Sequence, residues 1–262
     1  MSPLLVFLGE SIAKALLTNG VPRSSLTFFE SAKNRIAYVE KTLRLKKATS
    51  ISDLVRMSRY VILAVKPQDS RRVLEEISAG ITSDNILISI MAGVTTSQII
   101  SILEKPAKIV RTMPNICVKV GAGIIGISSN RLVSEKEIDK IRHMLSPLGE
   151  FIALGEEMMD AMTAIGGSGP AFFLLFLEAM IDAGVKIGLS RDKAKLATLQ
   201  VAKGTLKMLE EENIHPTIMR DMITSPGGTT IAGIASLEES AFRGNLIKAI
   251  EKTCRRAKEL ST

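Results

Sequence analysis

The sequence has 262 residues, of which 46% are hydrophobic and 23% charged, and this predicts a globular protein with one large or two medium domains. With two Cys and two His in unsuitable spacings, it has neither a disulfide framework nor a recognisable metal-ligand set, so we expect no metal. The net charge of +7 is spread along a chain with no Trp and two Tyr, which favours an anionic small ligand or a solvated basic surface over nucleic acid.

The N-terminal sequence lacks the features of a secretory signal. "MSPLLVFLGES" has no basic start and no small-residue cleavage site. The longest apolar run, residues 171–177, is far shorter than the roughly 20 residues that span a bilayer. We therefore expect a cytoplasmic protein that binds neither membrane nor nucleic acid.

Residues 1–154 alternate short apolar runs with amphipathic stretches, a pattern typical of successive β-strand and α-helix units. The runs are too apolar for a sheet with one wet face, so we expect an α/β domain whose mostly parallel sheet is covered by helices. A capping box at Ser134 and Glu137 predicts the start of one helix. The predicted strands are residues 4–8, 26–29, 60–65, 86–90, 108–112, 123–127 and 151–154.

Residues 155–262 have a helical period throughout and are predicted to form an all-α domain. Amphipathic helices are expected from about Arg191 to Glu211 and from Phe242 to Leu260. Residues 169–189 are apolar nearly all round, and a domain of this size has little interior in which to bury them. We therefore expect a homodimer built through these helices.

The first predicted strand leads into "GESIAKALL", where a dinucleotide-binding domain has its glycine-rich turn. Only Gly9 of the three glycines is present, and an ordinary strand-to-helix turn is the alternative. Glu30, after the second strand, stands where an acidic residue binds the ribose of NAD, whereas Lys33 and Arg35 are suited to the 2′-phosphate of NADP. A charged helix start on the surface is equally compatible with these residues.

Three further strands end in residues suited to a ligand. Lys66 and Gln68 follow one strand, Ala92 and Gly93 follow the next, and "RTMPN" ends the third. Open α/β sheets bind ligands at the carboxyl edge, so these ends predict one crevice, although Gly and Pro also simply mark turns.

Two stretches of small and hydroxyl residues in the helical half, "TAIGGSGPAFF" and "ITSPGGTTIAGI", are candidate anion-binding loops that lead into helices. In the second, backbone N–H groups near Thr229 and the hydroxyls of Ser225 and Thr230 could surround a carboxylate. A flexible turn with a Thr cap is the alternative.

Five motifs occur along the chain in the order in which one known family has them: "VILAVKPQ", "ISIMAGVT", "IVRTMPNICVKVGAG", "MDAMTAIGGSGPAFF" and "MITSPGGTTIAGIASLEESAFRGNLIKAI". The chain from Leu5 to Leu260 resembles the pyrroline-5-carboxylate reductase family. The resemblance implies an NAD(P)H-dependent oxidoreductase that reduces the C=N bond of 1-pyrroline-5-carboxylate to L-proline, the final step of proline biosynthesis. It further implies a Rossmann-type domain over residues 1–154 and an all-α C-terminal dimerisation domain over 155–262, in a homodimer or a decamer.

Carried over by position, the family's cofactor contacts fall on the first loop and two strand ends, and its substrate contacts fall mainly on the "SPGGTT" loop. Ser225 and Thr230 are the expected catalytic residues; solvent could supply the proton. Together with Glu30 from the strand argument, the expected contacts of NADP(H) or NAD(H) are Gly9, Glu10, Ser11, Ile12, Ala64, Val65, Lys66, Pro67, Ala92, Gly93 and Val94. The expected substrate contacts are Glu156, Ser225, Gly228, Thr229 and Thr230.

The chain departs from the family in its first loop, which reads "FLGESIA" where the family has a pattern like F-x-G-x-G-N-M. The missing glycine predicts weaker cofactor binding, and Glu10 is expected to repel phosphates, although the amides of Glu10 to Ile12 could still meet the diphosphate. Two alternatives stay open: a non-catalytic paralogue with weakened cofactor binding, and a related imine or β-hydroxyacid reductase.

Overall fold

A computed structural model describes the backbone of residues 3–261 and the side chains of residues 8–260. The strands are β1 Thr27–Phe28, β2 Lys46–Lys47, β3 Tyr60–Leu63, β4 Ile86–Ser89, β5 Lys108–Pro114, β6 Gly123–Ser129 and β7 Gly149–Ala153. The helices are α1 Pro3–Thr18, α2 Lys33–Leu43, α3 Ile51–Met57, α4 Ser70–Ser78, α5 Thr96–Leu103, α6 Glu135–Leu145, α7 Met159–Met162, α8 Gly169–Lys186, α9 Arg191–Glu212, α10 Pro216–Met222, α11 Thr229–Glu239 and α12 Phe242–Ser261.

The main sheet has five strands in the order β3-β4-β5-β6-β7. All neighbours are parallel except β5 and β6, which run antiparallel. A separate parallel pair is formed by β1 and β2. The predicted α/β class with a mostly parallel sheet, followed by a helical C-terminal region, is therefore confirmed.

Strand β4 shows why the predicted strands are continuously apolar. Leu87 packs into one core with helices α3, α4 and α5, whereas Ile86 and Ile88 pack into a second core on the opposite face, with α1 and α6. Every residue of β4 is buried. Both faces of the sheet are thus covered, as burial of a parallel sheet requires.

The strand predicted at residues 4–8 is wrong, because Pro3–Thr18 forms a single helix. Pro is favoured in the first helical turn, and Gly9 costs a helix interior only about 1 kcal/mol relative to Ala. Leu8, Ile12 and Leu16 recur at a spacing of four and are buried in the second core. The apolar periodicity therefore continues through Gly9, and the helix ends at Thr18, two residues before Gly20, whose φ is 82°.

The other six predicted strands are confirmed, with shifts of up to two residues at most of their ends. Strand β2 was not predicted, because two consecutive lysines have no strand pattern. The stretch 163–173, predicted as a loop that leads into a helix, is helical from its first residue: a π-helical turn at Thr163–Gly167 precedes α8. A side chain on Gly166 would meet Met162 and Ile124, so the glycine permits this turn to approach the sheet closely.

The chain divides into two compact units, one of Met1–Ser168 with Thr253–Thr262 and one of Gly169–Lys252. The domain boundary near residue 154 stays a prediction. Within the second unit α8 packs against α9. Apolar side chains of α8 remain exposed in the single chain, among them Phe173, Leu174 and Leu175.

Helix α6 begins at the predicted capping box. The Glu137 carboxylate accepts hydrogen bonds from the Ser134 backbone N–H at 3.0 Å and hydroxyl at 2.9 Å, and it pairs with Lys108 Nζ at 2.7 Å. The Lys108 hydrogen bond, followed by the two from Ser134, lowers the pKa of Glu137 to about 2. This carboxylate therefore ties α6 to the start of β5.

We predict that Glu137→Gln lowers the free energy of unfolding at pH 7 by about 1 to 2 kcal/mol, because it removes the ion pair and weakens the cap. Since folding lowers this pKa from 4.5 to about 2, the stabilisation is complete above pH 4.5 and is lost as pH falls towards 2. Urea unfolding of both proteins at pH 7 and pH 3.5 measures the difference, which should shrink at the lower pH. Glu135→Gln, on the exposed side of the same helical turn, is the control; an equal loss there would contradict the assignment.

Candidate active site

The ends of β3 and β4 lie side by side at one edge of the sheet. The strands pair in parallel with Leu63 opposite Ser89, and the Ile90 N–H donates to the Leu63 carbonyl at 3.2 Å. Ala64, Val65 and Lys66 follow β3 at half-buried positions. The structure therefore brings the "AVKP" and "MAGV" segments to the same carboxyl edge, as the sequence predicted.

The turn after β4 presents a small backbone surface. Ala92 is exposed and Gly93 half-buried, whereas Met91 before them and Val94 after them are buried. Gly93 has a φ of 75°, a conformation that residues with side chains rarely adopt. Thr95 then caps α5 in a capping box with Gln98. A flat ring could lie against Ala92 and Gly93 without meeting a large side chain.

Helix α1 brings Gly9 to the same edge. A Cβ atom at Gly9 would lie 3.2 Å from the Ala64 Cβ, so only glycine allows this close approach without adjustment. Glu10, Ser11 and Ile12 lie within the helix, and their N–H groups are directed to carbonyls one turn earlier. These amides therefore do not lie at a helix N-terminus, and the expectation that they meet the diphosphate there is wrong.

The Glu10 carboxylate is held by three neighbours. Lys14 Nζ lies 2.6 Å and the Tyr38 hydroxyl 2.9 Å from Oε1, and Arg35 lies 3.4 Å from Oε2. Burial alone would raise the pKa of Glu10, but the hydrogen bonds from Lys14, Tyr38 and Arg35 together hold it below its ordinary value. Lys14 and Arg35 thus offset the negative charge of Glu10, which was expected to repel phosphates.

Glu30 follows β1, and its carboxylate accepts hydrogen bonds from the backbone N–H groups of Ser31 at 2.7 Å and Ala32 at 3.0 Å. Lys33 begins α2 directly afterwards. The acidic residue expected for NAD and the first of the basic residues expected for NADP therefore both lie at the start of α2. These contacts are compatible with either nucleotide.

Glu156 lies at the start of a 3₁₀ turn after β7 and reaches the N-terminus of α5. Its Oε1 accepts a hydrogen bond from the Thr96 backbone N–H at 2.7 Å and lies 3.4 Å from Arg111 Nη1. Its Oε2 accepts a short hydrogen bond from the Thr96 hydroxyl. Arg111, on β5, is only 4% exposed. Both carboxylate oxygens are thus already bound by groups of the same chain.

The "SPGG" segment in the second unit forms a tight turn. The Gly228 N–H donates to the Ser225 carbonyl at 3.1 Å, with Pro226 and Gly227 between them, and Gly227 has a φ of 66°. Pro followed by a glycine with positive φ is the pattern of a type II turn. A Cβ atom on Gly228 would lie 2.3 Å from the Ser225 Oγ, so a side chain at this position would displace the Ser225 hydroxyl.

Helix α11 follows this turn directly and has no side chain capping its first turn. Gly228 is the N-cap, and the N–H groups of the first helical residues have no partner within the helix. Thr229 is exposed and Thr230 half-buried. The structure therefore brings Ser225, Gly228, Thr229 and Thr230 together around a helix N-terminus, which favours a carboxylate.

Comparisons with known proteins identify the family. The description "Pyrroline-5-carboxylate reductase dimerisation" matches residues 156–260, and "NADP oxidoreductase coenzyme F420-dependent" matches residues 7–93. Pyrroline-5-carboxylate reductase of Synechocystis sp. is 39% identical, covering 85% of this chain and 83% of the relative, and that of Aquifex aeolicus is 40% identical, covering 81% and 79%. The chain belongs to the pyrroline-5-carboxylate reductase family.

A solved structure extends this likeness to three dimensions. The crystal structure of Plasmodium falciparum pyrroline carboxylate reductase with NADP bound has a TM-score of 0.87 and 31% identity, covering 97% of this chain and 95% of that one. This pyrroline-5-carboxylate reductase family member is accordingly an NAD(P)H-dependent oxidoreductase. Its dimerisation domain also makes it a protein that forms oligomers.

The residues at the sheet edge fit part of a nicotinamide dinucleotide. Small side chains at Ala64 and Ala92, with the backbone of Gly93, leave room for a flat ring at the carboxyl ends of β3 and β4. Ser11 is buried, but together with Glu10, Lys14 and Lys119 it lines a groove of 320 Å³ beside α1. The fit is therefore carried by the strand ends rather than by helix amides of α1.

The sequence indicated Arg111 only as part of the "RTMPN" strand end, and it did not indicate Arg111 or Thr96 as a partner of Glu156. Arg111 interrupts the apolar run "KIVRT", and a buried cation requires a carboxylate partner. That signal could have singled out the arginine. It could not have named Glu156, which lies 45 positions away in the chain.

Proposed function

We propose that this chain reduces 1-pyrroline-5-carboxylate to L-proline with NAD(P)H, as the final step of proline biosynthesis. The observation that carries the proposal is the uncapped N-terminus of α11 behind the "SPGG" turn, in a chain of this family. A helix N-terminus with adjacent hydroxyls attracts a carboxylate, and the proposed substrate carries one next to its imine.

In this proposal the substrate carboxylate binds at the start of α11. The backbone N–H groups of Thr229 and Thr230 and the Ser225 hydroxyl donate hydrogen bonds to it, while Gly228 keeps the turn tight. The Thr230 hydroxyl bonds the ring nitrogen or the carboxylate. These contacts orient the C=N bond, which is the main task of a protein whose substrate is already electrophilic.

The proposed cofactor binds at the carboxyl edge of the sheet. When bound, NAD(P)H supplies the hydride. Ala64, Val65, Lys66 and Pro67 on one side and Ala92, Gly93 and Val94 on the other position its nicotinamide half. Gly9, Glu10, Ser11, Ile12 and Glu30 are proposed to lie along its remainder, with Lys14 and Arg35 offsetting the Glu10 charge.

The chemistry needs no nucleophile from the protein. An iminium formed by protonation of the ring nitrogen accepts hydride more readily than the neutral imine, and water can provide that proton. We propose no general acid. Ser225 and Thr230 therefore act by binding and orienting the substrate.

We further propose that the protein is a cytoplasmic homodimer, or a decamer built from five such dimers, and that it binds no membrane, nucleic acid or metal. Residues Glu156–Lys186 are long and apolar enough to span a bilayer by length and composition alone, and only 17% of the most apolar window in that stretch is buried inside the single chain. The family's dimerisation region covers the same residues, which favours a second copy over lipid as their neighbour. Cys117 and Cys254 are free thiols, in keeping with a reducing compartment.

The direct test titrates purified protein with NADPH and with NADH by nicotinamide fluorescence and then adds 1-pyrroline-5-carboxylate. We expect binding followed by oxidation of the cofactor and formation of L-proline, detected by chromatography. Cofactor binding without turnover would refute the substrate, and no binding to either nucleotide would favour a non-catalytic paralogue.

We predict that Gly228→Ala raises the KM for the imine by about 10-fold with a smaller change in kcat, because the new Cβ displaces the Ser225 hydroxyl, a proposed donor to the substrate carboxylate. Steady-state kinetics at saturating cofactor measure the effect. Gly204→Ala in α9, where a Cβ meets nothing within 4 Å, is the matched control. An unchanged KM in a folded Gly228→Ala protein would exclude this turn as the carboxylate site.

We predict that Leu174→Glu dissociates the oligomer, because a charge replaces an apolar side chain that is 63% exposed in the single chain. Size-exclusion chromatography with light scattering should give the mass of a dimer or of a decamer for the wild type and a lower mass for the variant. Lys136→Glu, on the exposed face of α6, is the control for added charge. A monomeric wild type would refute the homodimer.

A further inference from the structure

The N-terminus of α5 differs from that of α11 in being filled by a carboxylate of the chain itself. Thr95 caps the helix through its side chain, and Glu156 accepts the next N–H, that of Thr96, at 2.7 Å. The second Glu156 oxygen is bound by the Thr96 hydroxyl. A negative charge at this position is favoured by the helix dipole.

Arg111 supplies the opposing charge from the neighbouring strand. It lies opposite Ser89 in the β4–β5 register and is 4% exposed, and its Nη1 is 3.4 Å from Glu156 Oε1. Within the part of the chain that the structure describes, no other carboxylate lies within 4.0 Å of this guanidinium. Removing Glu156 would therefore leave a buried cation unpaired, which is strongly unfavourable.

These contacts fix the backbone on both sides of the turn that the proposed cofactor uses. Thr96 lies three residues after Gly93, and Ser89 lies three residues before Ala92. Ala92 and Gly93 are the accessible part of a segment whose flanking residues, Met91 and Val94, are buried. The position of Ala92 and Gly93 thus depends on the positions of β4 before them and of Thr96 after them.

We infer that Glu156 is a positioning residue for the cofactor turn 92–95, acting through Thr96 and Arg111, rather than a contact of the substrate. The inference rests on the proposed function in that it takes the nicotinamide to lie on Ala92 and Gly93. Glu156 has both oxygens engaged by the chain, and its charge is offset by Arg111. It therefore holds the surface on which the ring lies and leaves substrate binding to the α11 loop.

The test separates cofactor affinity from substrate affinity. For Glu156→Gln we expect the Kd of the preferred nucleotide, measured by fluorescence without substrate, to rise about 10-fold. The KM for the imine at saturating cofactor should stay within about twofold of the wild type, because the α11 loop is untouched. Thr96→Val, which removes only the hydroxyl contact, should weaken the cofactor in the same direction by less and serves if Glu156→Gln folds poorly.

Glu157→Gln is the matched control, since this exposed neighbour carries the same charge one position later. A rise in the imine KM with unchanged cofactor Kd in Glu156→Gln would overturn the inference and restore Glu156 as a substrate contact. Unchanged constants in both variants would overturn it too, as would a wild type that binds neither nucleotide. Wild-type protein that binds cofactor but leaves the imine unreduced would refute the proposed substrate alone, because the Kd comparison needs no turnover.

Discussion

The burial of strand β4 on both faces is the constraint on which the first unit depends. Its two isoleucines and one leucine are apolar on both faces of the sheet, so one helical layer of α3, α4 and α5 and another of α1 and α6 must cover the sheet. Helices on both faces in turn require crossover connections, which leave the carboxyl ends of β3 and β4 at one edge. The shared edge at which Ala64 and Gly93 lie, the proposed cofactor site, is thus a consequence of hydrophobic packing rather than of any local motif.

The same constraint explains why residues 3–18 are helical. The second core needs apolar cover, and Leu8, Ile12 and Leu16 supply it along one helical face. Burying each such side chain is worth about 1.5 to 3 kcal/mol, which exceeds the cost of one glycine in a helix. Packing therefore prevails over the glycine that the sequence suggested as a turn.

Helix N-termini in this protein either bind a carboxylate of the chain itself or have no side-chain cap. At α5 and α6 the chain fills the position with Glu156 and Glu137, which lock secondary structure to neighbouring strands. At α11 no side chain caps the first turn, and a glycine-bearing turn keeps the approach open. Internal acids thus stabilise the N-termini of α5 and α6, whereas the N-terminus of α11 is the proposed site for the carboxylate of the substrate.

The sequence by itself determined the class of fold, six of the strands and the long helices, because these depend on local periodicity. It also determined the α6 cap, through capping residues a few positions apart, and the family, through contiguous motifs. It also brought the "SPGGTT" residues together, since a turn and the helix after it are local. Only the tertiary structure decided that residues 4–8 are helical, that Lys46–Lys47 pair with β1, and that Glu156 binds Thr96 and Arg111. Each of these features depends on partners elsewhere in the chain. The pattern of one segment does not show how much free energy is gained when that segment, or a charge on it, is buried against another.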